Sequence, residues 1–405
     1  MSRHIAATFV LASFLAVSPG ESSEPEAVGQ VSRLPSTGSH WVWVPDRLFG
    51  HSLLYNGDDG RVLATVDSHA WLTPKLPLVA RTRKEVYSLD VAYSRGRRGT
   101  RTDYVTIYDS GSLEVVGEIL LRHPIADSNA SVAHGALLDD DRFLLVFSQF
   151  PATLVSVIDL EHRRVVAEVP IAGCAGVYAA GPQSFGTLCG DGTLFVAYLD
   201  AAGALERTTR SEPFFDAVED PVFMASARID SGWVFTSFAG LAHQVDLSTE
   251  PPSAEAPWSL VDDAERLEGW RPGGLQHVAL HERTRQLYVV MHQGGSGSHK
   301  DAGPEIWRYD LERHARTGRI QVPNLAADFI APLMGLSSEG IAAWLLRLLM
   351  PSPGAHTIAI TQDERPLLFA RNAQLGVVAV LDPASGEHLR NLEEAGFAGP
   401  TLGVP

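Results

Sequence analysis

Seven times along this chain an alternating apolar run reaches an aspartate, passes through a short polar turn and resumes as a second apolar run. The clearest copies are VTIYDSGSLEVVGEI from Val105, VSVIDLEHRRVVAEV from Val155, EIWRYDLERHARTGRI from Glu305 and VVAVLDPASGEHLRNL from Val377. Weaker copies are LLYNGDDGRVLATV from Leu53, LFVAYLDAAGAL from Leu194 and AHQVDLSTE from Ala242. Alternation on both sides of a tight turn is the mark of a β-hairpin. Aspartate suits the turn because its carboxylate accepts from backbone N–H groups two residues on. The turn residues are Asp58, Asp109, Asp159, Asp200, Asp246, Asp310 and Asp382, in steps of 51, 50, 41, 46, 64 and 72 residues. Steps of about 40 to 50 residues match one four-stranded propeller blade. The chain therefore reads as all-β, a seven-bladed β-propeller, whereas paired sandwiches would show no such period.

The two long steps call for insertions. Between Asp246 and Asp310, Val261 to Leu267 reads as a short helix ended by Gly269 and the RPGG turn. Between Asp310 and Asp382, SSEGIAAWLLRLLM predicts a helical insertion near 330–352. Its apolar part, Ile341 to Met350, is broken only by Arg347. Such a helix is either buried or faces a partner, and it is too short to cross a bilayer.

Residues 1–20 read as a secretory signal: Arg3, then an apolar run from Ile5 to Val17, with cleavage expected near Gly20 or Ser23. Residues 21–38 read as a flexible N-terminal segment and 39–405 as the propeller. This reading places the mature chain in the periplasm, with no membrane insertion. The formal charge of -16 argues against nucleic acid as a partner. The basic stretch RGRRGTR at 95–101 reads as a solvated loop. Two cysteines, Cys174 and Cys189, are expected to pair in an exported chain, and two thiolates without a nearby histidine pair do not make a zinc site.

The glycine-rich stretch HQGGSGSHKDAGPEIWRYD at 292–310 could cradle a phosphate, hold a metal or join two strands. A P-loop needs Gly directly before Lys, and His299 stands there instead. His292 and His299 flank a glycine loop with no fixed ligand geometry. The stretch therefore reads as a long loop between one strand at Leu287–His292 and the next at Ile306–Tyr309. No Ser-His-Asp order, paired-carboxylate motif or nucleophilic Cys stands out. The expectation is no catalytic residue, no metal ligand and no cofactor in this chain.

Several segments are similar to the heavy (large) subunit of the quinone-dependent amine dehydrogenases, the methylamine and aromatic amine dehydrogenases. They are YSRGRRGTRTDYVTIYD from Tyr93, FSQFPATLVSVIDLE from Phe147, Cys174 to the GDGTL turn, GWRPGGLQHVALHERTRQLYVV from Gly269, HKDAGPEIWRYD from His299 and ITQDERPLLFA from Ile360. The resemblance implies a seven-bladed periplasmic propeller that is not the redox chain. It implies two heavy chains holding two small Cys-rich light chains that carry tryptophan tryptophylquinone, with electrons passing to a blue-copper protein. The family's aromatic loop at the mouth of the quinone pocket matches HAWLTPKLP here, which puts Trp71 at the aromatic position, followed by Leu72 and Pro74. Trp in place of Phe narrows that mouth, the other reading being that Trp71 is an ordinary packing residue of a blade loop, and Lys75 and Leu76 read as a small insertion. The other reading is a stand-alone propeller used as a binding or scaffold module.

Overall fold

The aspartate hairpins form, and each closes the outer half of a separate antiparallel sheet. The structure is a computed structural model that describes residues 33–35, 38–68, 75–127, 131–230, 232–337, 340–397 and 399–405. Blade 1 holds Trp41–Asp46, His51–Asn56 and Val62–Asp67; blade 2 runs from Leu78–Val79 to Val115–Leu120. Blade 3 runs from Gly135–Leu137 to Arg164–Pro170, and blade 4 from Cys174–Ala179 to Leu205–Arg210. Blade 5 begins at Ala227–Ile229, and blade 6 runs from Trp270–Pro272 to Ala315–Gln321. Blade 7 runs from Thr357–Ile360 to His388–Leu392. Leu34–Pro405 is a compact unit, and its first residue already donates from its backbone to Gly111 O at 2.7 Å.

The turns work as their chemistry requires. Asp159 Oδ1 accepts from the backbone N–H of Glu161 at 2.9 Å and of His162 at 3.1 Å. Asp382 Oδ1 accepts from Ala384 N at 3.0 Å and Ser385 N at 2.6 Å. Asp109, Asp200, Asp246 and Asp310 cap their turns in the same way. Four residues after the capping position stands a residue with positive φ, at Gly60, Leu113, Arg163, His314 and Gly386, and the strand register slips at the same hairpin. This is a turn followed by a left-handed residue and a bulge, which strengthens strand twist at the rim. Blade 1 corrects one assignment. Asn56, at the strand end, takes the capping role by accepting from Asp58 N at 3.0 Å, while Asp58 binds His40 Nδ1 at 2.6 Å.

The inner strands are buried on both faces because each sheet packs against its neighbours; Phe143–Ser148, Leu154–Asp159 and Ser184–Cys189 are buried throughout. Outer strands such as Leu205–Arg210 face solvent. Apolar clusters therefore sit between blades, as where Phe143 and Val157 of blade 3 meet Phe185 and Ala197 of blade 4. Cys174 and Cys189 lie opposite each other in register and are disulfide-bonded.

The ring closes across blades 7 and 1. Blade 1 lacks an innermost strand of its own until the C-terminal segment returns: Trp43 N donates to Gly403 O at 2.7 Å and Gly403 N to Trp43 O at 3.0 Å. Arg371, on blade 7 and fully buried, donates to Pro45 O at 2.9 Å, Ala395 O at 2.9 Å and Gly396 O at 3.0 Å. Gln276 adds a backbone mimic, donating to Leu402 O at 2.9 Å and accepting from Leu402 N at 3.0 Å. Replacing Arg371 by Met strands three buried carbonyls, so the expected loss is about 3 kcal/mol or more. Asp382→Ala removes one turn cap near the surface and should cost about 1 to 2 kcal/mol. Urea unfolding of both variants checks the ranking; an Arg371→Met loss no larger than that of Asp382→Ala would remove Arg371 from the closure.

Candidate functional site

In a propeller of this topology, connections from an outermost strand to the next innermost strand emerge on the same face as the connections between the second and third strands. The 69–74 segment is of the first kind, joining blade 1 to blade 2. Trp71, Leu72 and Pro74 lie outside the described residues. Both flanks of that segment are held: Ser68 N donates to Gly50 O at 2.8 Å, and the buried Lys75 ammonium donates to Ala126 O at 2.7 Å.

The helical insertion rises on the same face, between blades 6 and 7. It holds two helices, α2 over Leu325–Leu333 and α3 over Ile341–Leu349, so it begins a few residues before the 330 expected from sequence. Asn324 joins them, since its Oδ1 accepts from Ala327 N at the start of α2 while its Nδ2 donates to Arg347 O and Met350 O at the end of α3. Arg347 turns inward and donates to Asp328 Oδ1 at 2.6 Å. What remains of α3 points away from its own chain: Ala343 is buried, while Ile341 is 80% exposed, Trp344 58%, Leu348 66% and Leu349 77%. Of the two readings of this helix, burial in its own chain is thereby excluded. The short helix before blade 6, α1 over Asp263–Leu267, forms as expected with an Asp262–Glu265 capping box.

The glycine-rich stretch joins Gln286–Gln293 to Glu305–Asp310, the two strands expected there. His292 Nε2 meets Ser298 Oγ at 2.8 Å, whereas the His299 ring stacks on Phe238 at 4.0 Å. The two imidazoles thus serve different partners. Gly303 pairs with Ala355 through two backbone hydrogen bonds of 2.8 and 2.9 Å, so the loop clamps the segment leading from α3 to blade 7. A Cβ at Gly303 would meet Met291 O at 2.3 Å, which explains the glycine. Among the described residues, the one carboxylate–imidazole group compact enough for a metal is Asp159, Glu161 and His162. There the aspartate is already capping its own turn.

Exposed large apolar side chains gather on this loop face. Leu48, Phe49, Phe150, Val218, Leu267, Leu333, Met334 and Phe397 all lie in its connections, and the exposed residues of α3 join them. The remaining exposed apolar side chains belong mainly to outer strands, such as Val115, Leu120 and Leu205. A concentration of exposed apolar side chains is the kind of surface that binds a partner protein, a membrane or a ligand. Each residue alone reads as loop composition, so sequence periodicity carried no signal for the set.

Beneath the face, burial sets the protonation of several imidazoles. It pushes His277, fully buried with Thr236 Oγ1 at 2.5 Å from its Nε2, down to about 3. His134 is also lowered to about 3, by burial first and then by the Lys75 charge. The folded values lie below the unfolded imidazole value near 6.5, so the unfolded chain takes up protons first as pH falls. Stability from these two groups is complete above about pH 6.5 and declines toward about pH 3 by about 1.4 kcal/mol per pH unit for each. Urea midpoints should fall accordingly between pH 6.5 and 4.5, and His277→Asn should flatten that slope; an unchanged slope would show that His277 is not the group titrating.

A seven-bladed propeller with exposed apolar side chains on its loop face offers a surface on which a partner can dock. This chain belongs to the methylamine dehydrogenase heavy chain family, whose profile, described as methylamine dehydrogenase heavy chain (MADH), matches residues 46–326. It is 27% identical over 392 residues to the methylamine dehydrogenase heavy chain of Paracoccus versutus, covering 95% of this chain and 82% of that one. It is 24% identical over 366 residues to the methylamine dehydrogenase heavy chain of Methylorubrum extorquens, covering 89% and 81%. Two solved structures share the fold alone. Dihydro-heme d1 dehydrogenase NirN matches with a TM-score of 0.57 at 16% identity, covering 93% of this chain and 77% of that chain. The Cps50 (Swd1) propeller domain of Myceliophteria thermophila matches with a TM-score of 0.51 at 10% identity, covering 88% and 99%.

Proposed function

We propose that this chain is the large, cofactor-free subunit of a periplasmic amine dehydrogenase. Its partner is a small Cys-rich light chain, in an assembly of two heavy and two light chains. The tryptophan tryptophylquinone of that light chain supplies the oxidation of a primary amine to aldehyde and ammonia, and a blue-copper protein takes the electrons. Family membership supports the subunit role. The observation that carries the docking is the apolar loop face, with α3 at its edge.

In this reading the propeller contributes a wall. Its blades hold the docking loops rigid, the apolar face excludes water where the light chain sits, and Trp71 stands at the mouth of the pocket. Expressed alone, the chain should show no visible quinone absorbance and no dye-coupled amine oxidation. Both should appear with the small Cys- and Trp-rich exported chain, and Trp344→Ser with Leu348→Ser should weaken co-purification of the two. Turnover by the single chain would overturn the subunit reading, and a complex indifferent to the double substitution would move the docking elsewhere.

Trp71 governs the choice of amine. A methylene's fit in an apolar pocket is worth about 1 to 3 kcal/mol of discrimination, and about 1.4 kcal/mol is a factor of ten in rate. Trp71→Ala in the assembled complex should therefore change the ratio of kcat/KM for small and bulky amines about tenfold or more. An unchanged ranking at unchanged rates would make Trp71 a packing residue.

A further inference from the structure

A cavity of about 250 Å³ lies among blades 1, 2 and 3, and Lys75, Arg81 and His134 are on its lining. Lys75, 4% exposed, is held by Ala126 O at 2.7 Å and His134 Nδ1 at 2.8 Å. An ammonium has three donor hydrogens, so one is left beyond those two partners among the described residues. Because His134 Nδ1 accepts from Lys75, the imidazole hydrogen sits on Nε2 and makes a second donor. Arg81 lines the same cavity and makes no ion pair or hydrogen bond among the described residues.

The two aspartates on the lining are already engaged. Asp139 takes both arms of Arg228, at 2.5 and 2.7 Å. Asp141 accepts from Thr82 N at 2.5 Å and Thr82 Oγ1 at 2.8 Å. Asp127 acts on the Lys75 charge through space, while the hydrogen bonds of the ammonium go to a carbonyl and an imidazole; a buried ammonium that no carboxylate hydrogen-bonds is costly, and a ligand that only accepts offsets that cost.

We infer that this cavity is a binding site for a small monocarboxylate, held by the Lys75 ammonium with His134 Nε2–H and Arg81 as further donors. The ligand's two oxygens would complete the third N–H of Lys75 and neutralise its charge. Burial lowers the pKa of Lys75 to about 8, against the pull of Asp127, so the site should empty as pH rises through that value.

Saturation-transfer NMR of sodium acetate against the full chain tests the site, with methylammonium chloride as the probe of opposite charge. At pH 7 acetate should bind saturably and methylammonium should not. Lys75→Met should weaken acetate at least about tenfold, the expected loss for a charge-assisted hydrogen bond. Should Lys75→Met fail to fold, Arg81→Gln and the pH series decide, because Arg81 is exposed and unpartnered and its replacement leaves the fold alone. Weaker binding in Arg81→Gln together with loss of binding above about pH 8 supports the site. No saturable acetate signal, a pH-independent affinity or preferential binding of methylammonium overturns it.

Discussion

The structure depends on closing a ring. Seven sheets built from consecutive stretches of chain would remain an open array with two bare edges, and a bare strand edge pairs with whatever it meets. Here the last residues return to blade 1, where Gly403 and Trp43 exchange backbone hydrogen bonds. The buried guanidinium of Arg371 ties three carbonyls from blade 1 and the C-terminal segment to blade 7. Approach is so close that a Cβ at Gly399 would meet Pro45 O at 2.1 Å. Everything on the loop face inherits its position from this joint, since each blade is placed only by its two neighbours.

A closed ring separates two surfaces with different chemistry. One carries the capped turns, whose carboxylates are used up on local backbone donors. The other carries the long connections, with their exposed Phe, Leu and Trp side chains. A rigid frame that offers one apolar face suits a subunit that positions and shields a neighbour. The α2–α3 insertion extends that face, because its polar contacts, Asn324 and the Arg347–Asp328 pair, all point inward. The outward residues of α3, Ile341, Trp344, Leu348 and Leu349, stay exposed.

The channel follows a different logic. Lys75 and His134 are 59 residues apart and meet at 2.8 Å because blades 2 and 3 converge toward the axis. Burial keeps the imidazole neutral and so able to accept from the ammonium. The same geometry that buries Lys75 and His134 places them on the lining of a small, half-open cavity.

Local chemistry was legible in the sequence. The aspartate turns, the blade count, the strands around the glycine-rich loop, the α1 and α3 segments and the cysteine pair all follow from residues close together in the chain, where periodicity and turn preference act. Even there the register misled at Asp58, because Asn56 two residues earlier can make the same turn contact. Helix α2 escaped because it is short and contains Pro332. Trp71, Leu72 and Pro74 rested on family likeness and not on any local pattern. What only the tertiary structure decided was which side chains meet across blades: Arg371 with Pro45, Lys75 with His134, and the apolar residues of separate loops gathered on one face. Those pairings are set by how sheets stack around an axis, and that stacking depends on the summed shape of all seven blades, so no single stretch of sequence encodes it.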